Sequence, residues 1–225
     1  MWIIPEASPE FVCQMEQVLD VYKRPYDAKH PVVCLDESPK QLIEEKRTPV
    51  KASNGTTLYD SEYIRHGVKQ LYMLFEPLAG KRNVEVRDSN NRLEWAKIVA
   101  DLVESQYLSA RKIILVQDNL KAHKPAAMYK VFEPARAKAI LDKIEFVFTP
   151  KHGSWLNMAE IEFSVIKRQA IKNRIADKET LEKKIDLWQK KKKPGAGKGK
   201  LAVSIQRRQS ETQKALPDYL TFMMH

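Results

Sequence analysis

Cysteine is scarce, and its scarcity excludes two classes at once. Only Cys13 and Cys34 occur in 225 residues, with no CxxC or Cys/His spacing. Neither a disulfide framework nor a zinc site is expected, and two packed thiols in a reducing cytoplasm are. No apolar run approaches the roughly 18 residues that span a bilayer, so no membrane helix is expected. The opening Met1-Trp2-Ile3-Ile4-Pro5 lacks the basic-then-apolar pattern of a secretory leader. A surplus of positive charge is also missing from most of the chain. Residues 1–189 carry 30 Lys and Arg against 27 Asp and Glu, whereas residues 190–225 carry 9 against 2. The net charge of +10 therefore belongs largely to the tail, and charge alone does not point to nucleic acid.

Enough hydrophobic residues are present, 43%, for one sizeable α/β core. Residues 6–25 have helical spacing through Phe11, Met15, Val18 and Tyr22. Val32–Leu35 is a short buried strand ending at Asp36, and residues 39–62 look like an irregular surface excursion. Val68–Pro77 and Asn83–Arg87 are expected as strands joined by a turn at Ala79-Gly80. Leu93–Leu108 forms an amphipathic helix, and Lys112–Val116 a second buried strand leading to Asp118. Pro125–Leu141 is helical but broken at Pro134, Ile144–Phe148 is a strand, and a helix runs from about Trp155 to Lys172 with Ser154 as its cap. This order predicts an α/β fold, a mixed sheet with helices packed on it.

Two apolar strands thus each deliver an aspartate at the carboxyl end, where α/β sheets gather ligands. Glu160, in the later helix, can reach that edge from the side. Three carboxylates together repel unless a cation balances them, and hard divalent ions suit oxygen ligands. An aspartate at a strand end equally serves as a turn or cap residue, so spacing alone leaves both readings open.

Three blocks narrow the choice: Val33-Cys-Leu-Asp-Glu-Ser38, Val116-Gln-Asp-Asn-Leu-Lys-Ala-His123, and Thr149-Pro-Lys-His-Gly-Ser-Trp-Leu-Asn-Met-Ala-Glu-Ile-Glu-Phe163. Together with Tyr59-Asp-Ser-Glu-Tyr63 and Phe75-Glu-Pro-Leu-Ala-Gly80, they resemble bacterial insertion-sequence transposases of the mariner superfamily. The resemblance runs from about residue 2 to 189. It implies an RNase H-like mixed sheet flanked by helices, cut-and-paste DNA transposition, and a DDE triad of Asp36, Asp118 and Glu160 holding Mg²⁺ or Mn²⁺, with two ions expected. It also implies DNA, transposon ends and target, as partner, and a homodimer in the synaptic complex. The family's third acid stands three residues after the asparagine, which selects Glu160 after Asn157 rather than Glu162. On a helical wheel Asn157, Glu160 and Ser164 share a polar face, while Glu162 falls among Trp155, Met158 and Ile166.

Lesser features surround the triad. Asn119, His123, Asn157 and Glu162 are supporting candidates, and Lys151, Lys167 and Arg168 are candidate DNA-phosphate contacts. Solvated lysines, a turn asparagine and hydrogen-bonded structural histidines, above all His152, are the plainer readings. Trp155 is expected as a core anchor. The family's helix-turn-helix region has no counterpart in the roughly 35 residues before Asp36. The expected division is a catalytic domain over residues 1–189 and a basic tail over residues 190–225. Shifted by one nucleotide, codons for Lys193–Val203 permit a reading like the family's usual ending, so the tail from about residue 191 is expected to be out-of-frame. A soluble protein acting at the bacterial nucleoid follows. The rivals are an inactive, truncated remnant and another RNase H-like nuclease such as a junction resolvase.

Overall fold

The computed structural model describes residues 8–120 and 123–191. The expectation of an out-of-frame tail lies outside these residues. Helix α1 (Pro9–Lys23) starts where Ser8 accepts the Phe11 N–H, with proline at its first position. Strand β1 (Val32–Glu45) follows, then the two-residue strands β2 (Val50–Lys51) and β3 (Thr57–Leu58). Strands β4 (Tyr63–Glu76) and β5 (Lys81–Arg87) form a hairpin leading to helix α2 (Arg92–Asp101), whose last turn widens into a π turn over Leu102–Gln106. Next come β6 (Ile113–Gln117), α3 (Met128–Val131), α4 (Pro134–Asp142), β7 (Ile144–Phe148), α5 (Ala159–Gln169) and α6 (Lys178–Lys190).

Five strands form one mixed sheet in the order β5-β4-β1-β6-β7. The β4 pairings to β5 and β1 are antiparallel, and those of β6 to β1 and β7 are parallel. Strand alternation divides the apolar side chains between two cores. Cys34, Met73 and Val116 face α1, α5 and α6, whereas Leu35, Leu74 and Leu115 face α2, α3 and α4. The result is the mixed sheet with flanking helices that the element order implied. Among the described residues, no helix is long and apolar enough to cross a membrane.

Several boundaries differ from expectation. β1 continues to Glu45 and β4 begins at Tyr63, so the first part of the expected excursion, residues 39–45, is strand in an antiparallel ribbon, while residues 46–62 remain irregular apart from β2 and β3. Its β4 residues Ile64–Val68 are exposed, and on the β1 side only Leu42 is buried, so little hydrophobic alternation announces the ribbon. The register slips between Gln41 and Ile43, where β4 supplies an extra residue and Gly67 takes φ 89°. The helix expected from Trp155 begins at Ala159. A single 3₁₀ turn over Ser154–Leu156 precedes it, and the Ser154 side chain makes no cap. Helix α6 was not anticipated. It buries Leu181, Ile185 and Trp188 against the sheet, and Asp177 accepts the Thr180 N–H at its start.

Candidate metal centre

The carboxyl end of β6 lies beside the first half of β1, and because β1 runs on to Glu45, Asp36 sits within the strand and not at its carboxyl end as expected. Their parallel register pairs Cys34 with Val116. Continued by two residues, it sets Asp36 abreast of Asp118. Both follow the alternation that points Cys34 and Val116 toward α5, so both acids belong to the α5 side. Each is half-buried.

Glu160 arrives in the first turn of α5, also half-buried. The turn before it is tightly specified. His152 takes φ 63°, and a Cβ on Gly153 would lie 2.5 Å from Pro150 Cγ, so only glycine fits there. Asn157, 1% exposed, then links strand to helix. Its Nδ2 donates to the Leu35 carbonyl at 2.8 Å, and its Oδ1 accepts the Ala159 N–H at 3.1 Å. One side chain therefore ties the residue before Asp36 to the turn carrying Glu160. Asn157 is not on a solvent-facing polar side with Glu160 and Ser164, because its amide is consumed in this buried bridge. The other end of α5 is held by Lys40, whose Nζ donates to the carbonyls of Ile171 and Asn173.

Electrostatics register the crowding. The Asp36 carboxyl is pushed up to about 8, by burial first and further by the charges of Glu37, Glu160 and Asp118, against a hydrogen bond from the Glu37 N–H. A fourth acid, Glu37, points to the opposite face. Burial raises it to about 7, Asp118 adds to the rise, and His123 opposes it. His123 is 2% exposed and stacks on Trp95 with centroids 5.7 Å apart. Its Nδ1 lies 3.5 Å from Asp118 Oδ1 and its Nε2 3.5 Å from Glu37 Oε1. A buried brace holds it there: Trp95 Nε1 donates to Gln117 Oε1, and Gln117 Nε2 donates to the His123 carbonyl.

The remaining candidates divide between core and surface. Glu162 is buried and pairs with Arg82 at 3.4 Å, while the Arg82 guanidinium lies 3.5 Å over the Trp188 ring. Asn119 is exposed and accepts from Lys124, whose ammonium sits over the Phe148 ring. Lys151, Lys167 and Arg168 are exposed, and so is His152, which has no buried structural role. Trp155 packs half-buried against the core. Glu37, Tyr22, Gln117 and Arg82 escaped sequence reasoning. Only Glu37 carried a signal, a second acid directly after Asp36.

An all-oxygen set of Asp36, Asp118 and Glu160 suits a hard divalent ion, and Glu160 and Asp118 add to the burial that raises the Asp36 carboxyl. Among the described residues, however, no three such side chains are already drawn close enough to hold an ion. Common ligation requires them to rotate inward from these positions.

Sheet order, two flanking helical layers, and acids within β1 and just after β6 define an RNase H-like domain. Residues 31–182 match the family model described as DDE superfamily endonuclease, and the chain belongs to that family. Similar solved structures include the "Mos1 transposase paired-end complex with left transposon end", with TM-score 0.60 and 16% identity over 86% of this chain and 58% of that one. The Mos1 mariner paired-end complex with Mn gives 0.57 and 17% over 86% and 59%, and the Mos1 strand transfer complex 0.56 and 16% over 86% and 58%. At such identities the likeness concerns the fold. The chain spans under three fifths of these relatives' length. No curated protein sequence matches it.

Proposed function

We propose that this chain is the catalytic domain of a mariner-type DNA transposase, cleaving phosphodiesters at transposon ends and joining them to target DNA. The observation that carries this is the register that sets Asp36 abreast of Asp118 on neighbouring parallel strands, with Glu160 near enough to add to the rise of the Asp36 carboxyl. In this reading Asp36 and Asp118 hold Mg²⁺ or Mn²⁺, two ions in the full site, and Glu160 completes the shell. Bound there, the ions supply the Lewis acidity that activates a water or sugar hydroxyl and stabilises the leaving oxygen. His123 holds Asp118 from behind, and Asn157 keeps the turn of Glu160 against β1. Lys151, Lys167 and Arg168 are exposed and available to phosphates, Arg168 through the guanidinium nitrogens that its Nε bond to the Ser164 carbonyl leaves over.

Solved relatives described as Mos1 paired-end complexes, one with Mn and one with Mg, support DNA and divalent metal as partners here. A homodimer pairing two ends, a catalytic domain over residues 1–189 with a separate basic tail over residues 190–225, and action at the bacterial nucleoid within the cytoplasm complete the proposal.

The test is nicking of supercoiled plasmid with Mn²⁺. The wild-type protein nicks, and Asp118→Asn does not; unchanged nicking by that variant refutes the triad. A second reading, an inactive remnant, draws on the open spacing of the acids. It requires a wild-type protein that never nicks at any Mn²⁺ concentration.

A further inference from the structure

The turn that delivers Glu160 rests on a helix lying before the family-matched segment. Tyr22, in the last turn of α1, is 5% exposed, with its hydroxyl inside the core. That oxygen is 3.0 Å from the Leu156 carbonyl, 3.4 Å from the Met158 nitrogen and 3.3 Å from Cys34 Sγ. A phenol offers one proton and accepts through its oxygen. With the proton given to Leu156, the Met158 N–H and the Cys34 S–H both donate to the hydroxyl. Its partners lie on two elements, one two residues before Asp36 and the other two residues before Glu160.

We infer that Tyr22 is a positioning residue for the proposed metal-holding acids, its hydroxyl fixing the turn before α5 against the acid-bearing segment of β1. The inference rests on the assignment of Asp36, Asp118 and Glu160 as ligands. Asn157 makes the neighbouring tie, to Leu35. Two ties at adjacent points constrain both the separation and the rotation of the α5 turn. Three ligands must reach one small ion, so a shift of a few tenths of an ångström in that turn weakens binding. Deleting the hydroxyl leaves the Leu156 carbonyl short of a partner in a dry place and the Met158 N–H with only the weaker Cys34 sulfur, and the turn relaxes to satisfy them. Helix α1 therefore belongs to the working unit, although the family match begins at residue 31.

Tyr22→Phe keeps the ring and removes only the oxygen. Val18→Ala, at a fully buried position on the same helix, serves as a destabilised control that leaves the turn untouched. Two readouts apply to the full chain: amide exchange across residues 157–163 without metal, and the Mn²⁺ concentration at half-saturation by calorimetry. Tyr22→Phe is expected to accelerate exchange in that segment and to raise the Mn²⁺ midpoint about tenfold. Val18→Ala is expected to lower the melting temperature while keeping the wild-type midpoint. A wild-type midpoint and wild-type exchange in Tyr22→Phe overturn the inference, as does an equal midpoint shift in Val18→Ala. Asp118→Asn binding Mn²⁺ as wild type does overturns the ligand assignment itself, and the inference with it.

Discussion

Two glutamates, two residues apart on α5, have opposite surroundings. Glu162 is buried against Arg82, whose guanidinium is stacked on Trp188 and also donates to the Trp188 carbonyl. Glu160 is near enough to Asp36 that its charge helps to raise the Asp36 carboxyl. The first region is closed electrostatically, with a cation built into the fold. The second gathers acids around the half-buried Asp36 carboxyl, with the His123 ring 3.5 Å from Asp118. The fold neutralises one glutamate internally and leaves its neighbour among like charges, and in the proposed reading that second place takes a cation from outside.

The comparison breaks most visibly by exchanging the two residues' fates. Glu160→Gln is expected to reduce Mn²⁺-dependent nicking by about 10³-fold, the scale of losing a principal electrostatic stabiliser, with little change in melting temperature. Glu162→Gln is expected to do the reverse in kind. It leaves a buried guanidinium without its counter-charge, which costs about 3 kcal/mol in denaturant unfolding, with nicking per folded molecule largely kept. Equal losses of activity in the two variants would erase the distinction.

A smaller effect sharpens the charge argument. In EDTA, Asp36→Asn relieves a carboxyl that burial and three like charges disfavour. Its melting temperature is expected to rise by about 2–4 °C, corresponding to roughly 1 kcal/mol. Saturating Mn²⁺ is expected to reverse the order, because only the wild-type protein gains the binding energy. Scanning calorimetry with and without metal reads both. The smallest effect lies at the rim. Lys167→Ala and Arg168→Ala are each expected to weaken DNA binding uniformly across sequences and to reduce the salt slope by about 1. Binding titrations at several salt concentrations measure that slope.

The sheet was readable because its central strands are. Val32–Leu35 and Lys112–Val116 are short apolar runs ending in acids, the pattern of buried parallel strands. The ribbon beyond Pro39 was not, since its residues alternate too little to separate strand from loop. Helix α6 carries a lysine-rich sequence that reads as solvated, and its role depends on Leu181, Ile185 and Trp188 meeting β5 and the core. At the proposed site, local pattern and family resemblance identified acids on separate elements. Their supports were hidden for a different reason. Tyr22 meets Leu156 across 134 residues and Arg82 meets Glu162 across 80, and spacing along the chain encodes neither distance. Asn157 was noticed as a marker of the third acid, yet its buried bridge to Leu35 required the β1 partner to be known.

The central claim is that acids on β1, β6 and α5 share a divalent ion. Crystals soaked in Mn²⁺ test it most directly through anomalous scattering. The account predicts a peak at the β1–β6 edge within ligating distance of Asp36, Asp118 and Glu160, with those side chains rotated inward. A peak elsewhere, or none at saturating Mn²⁺, would contradict it.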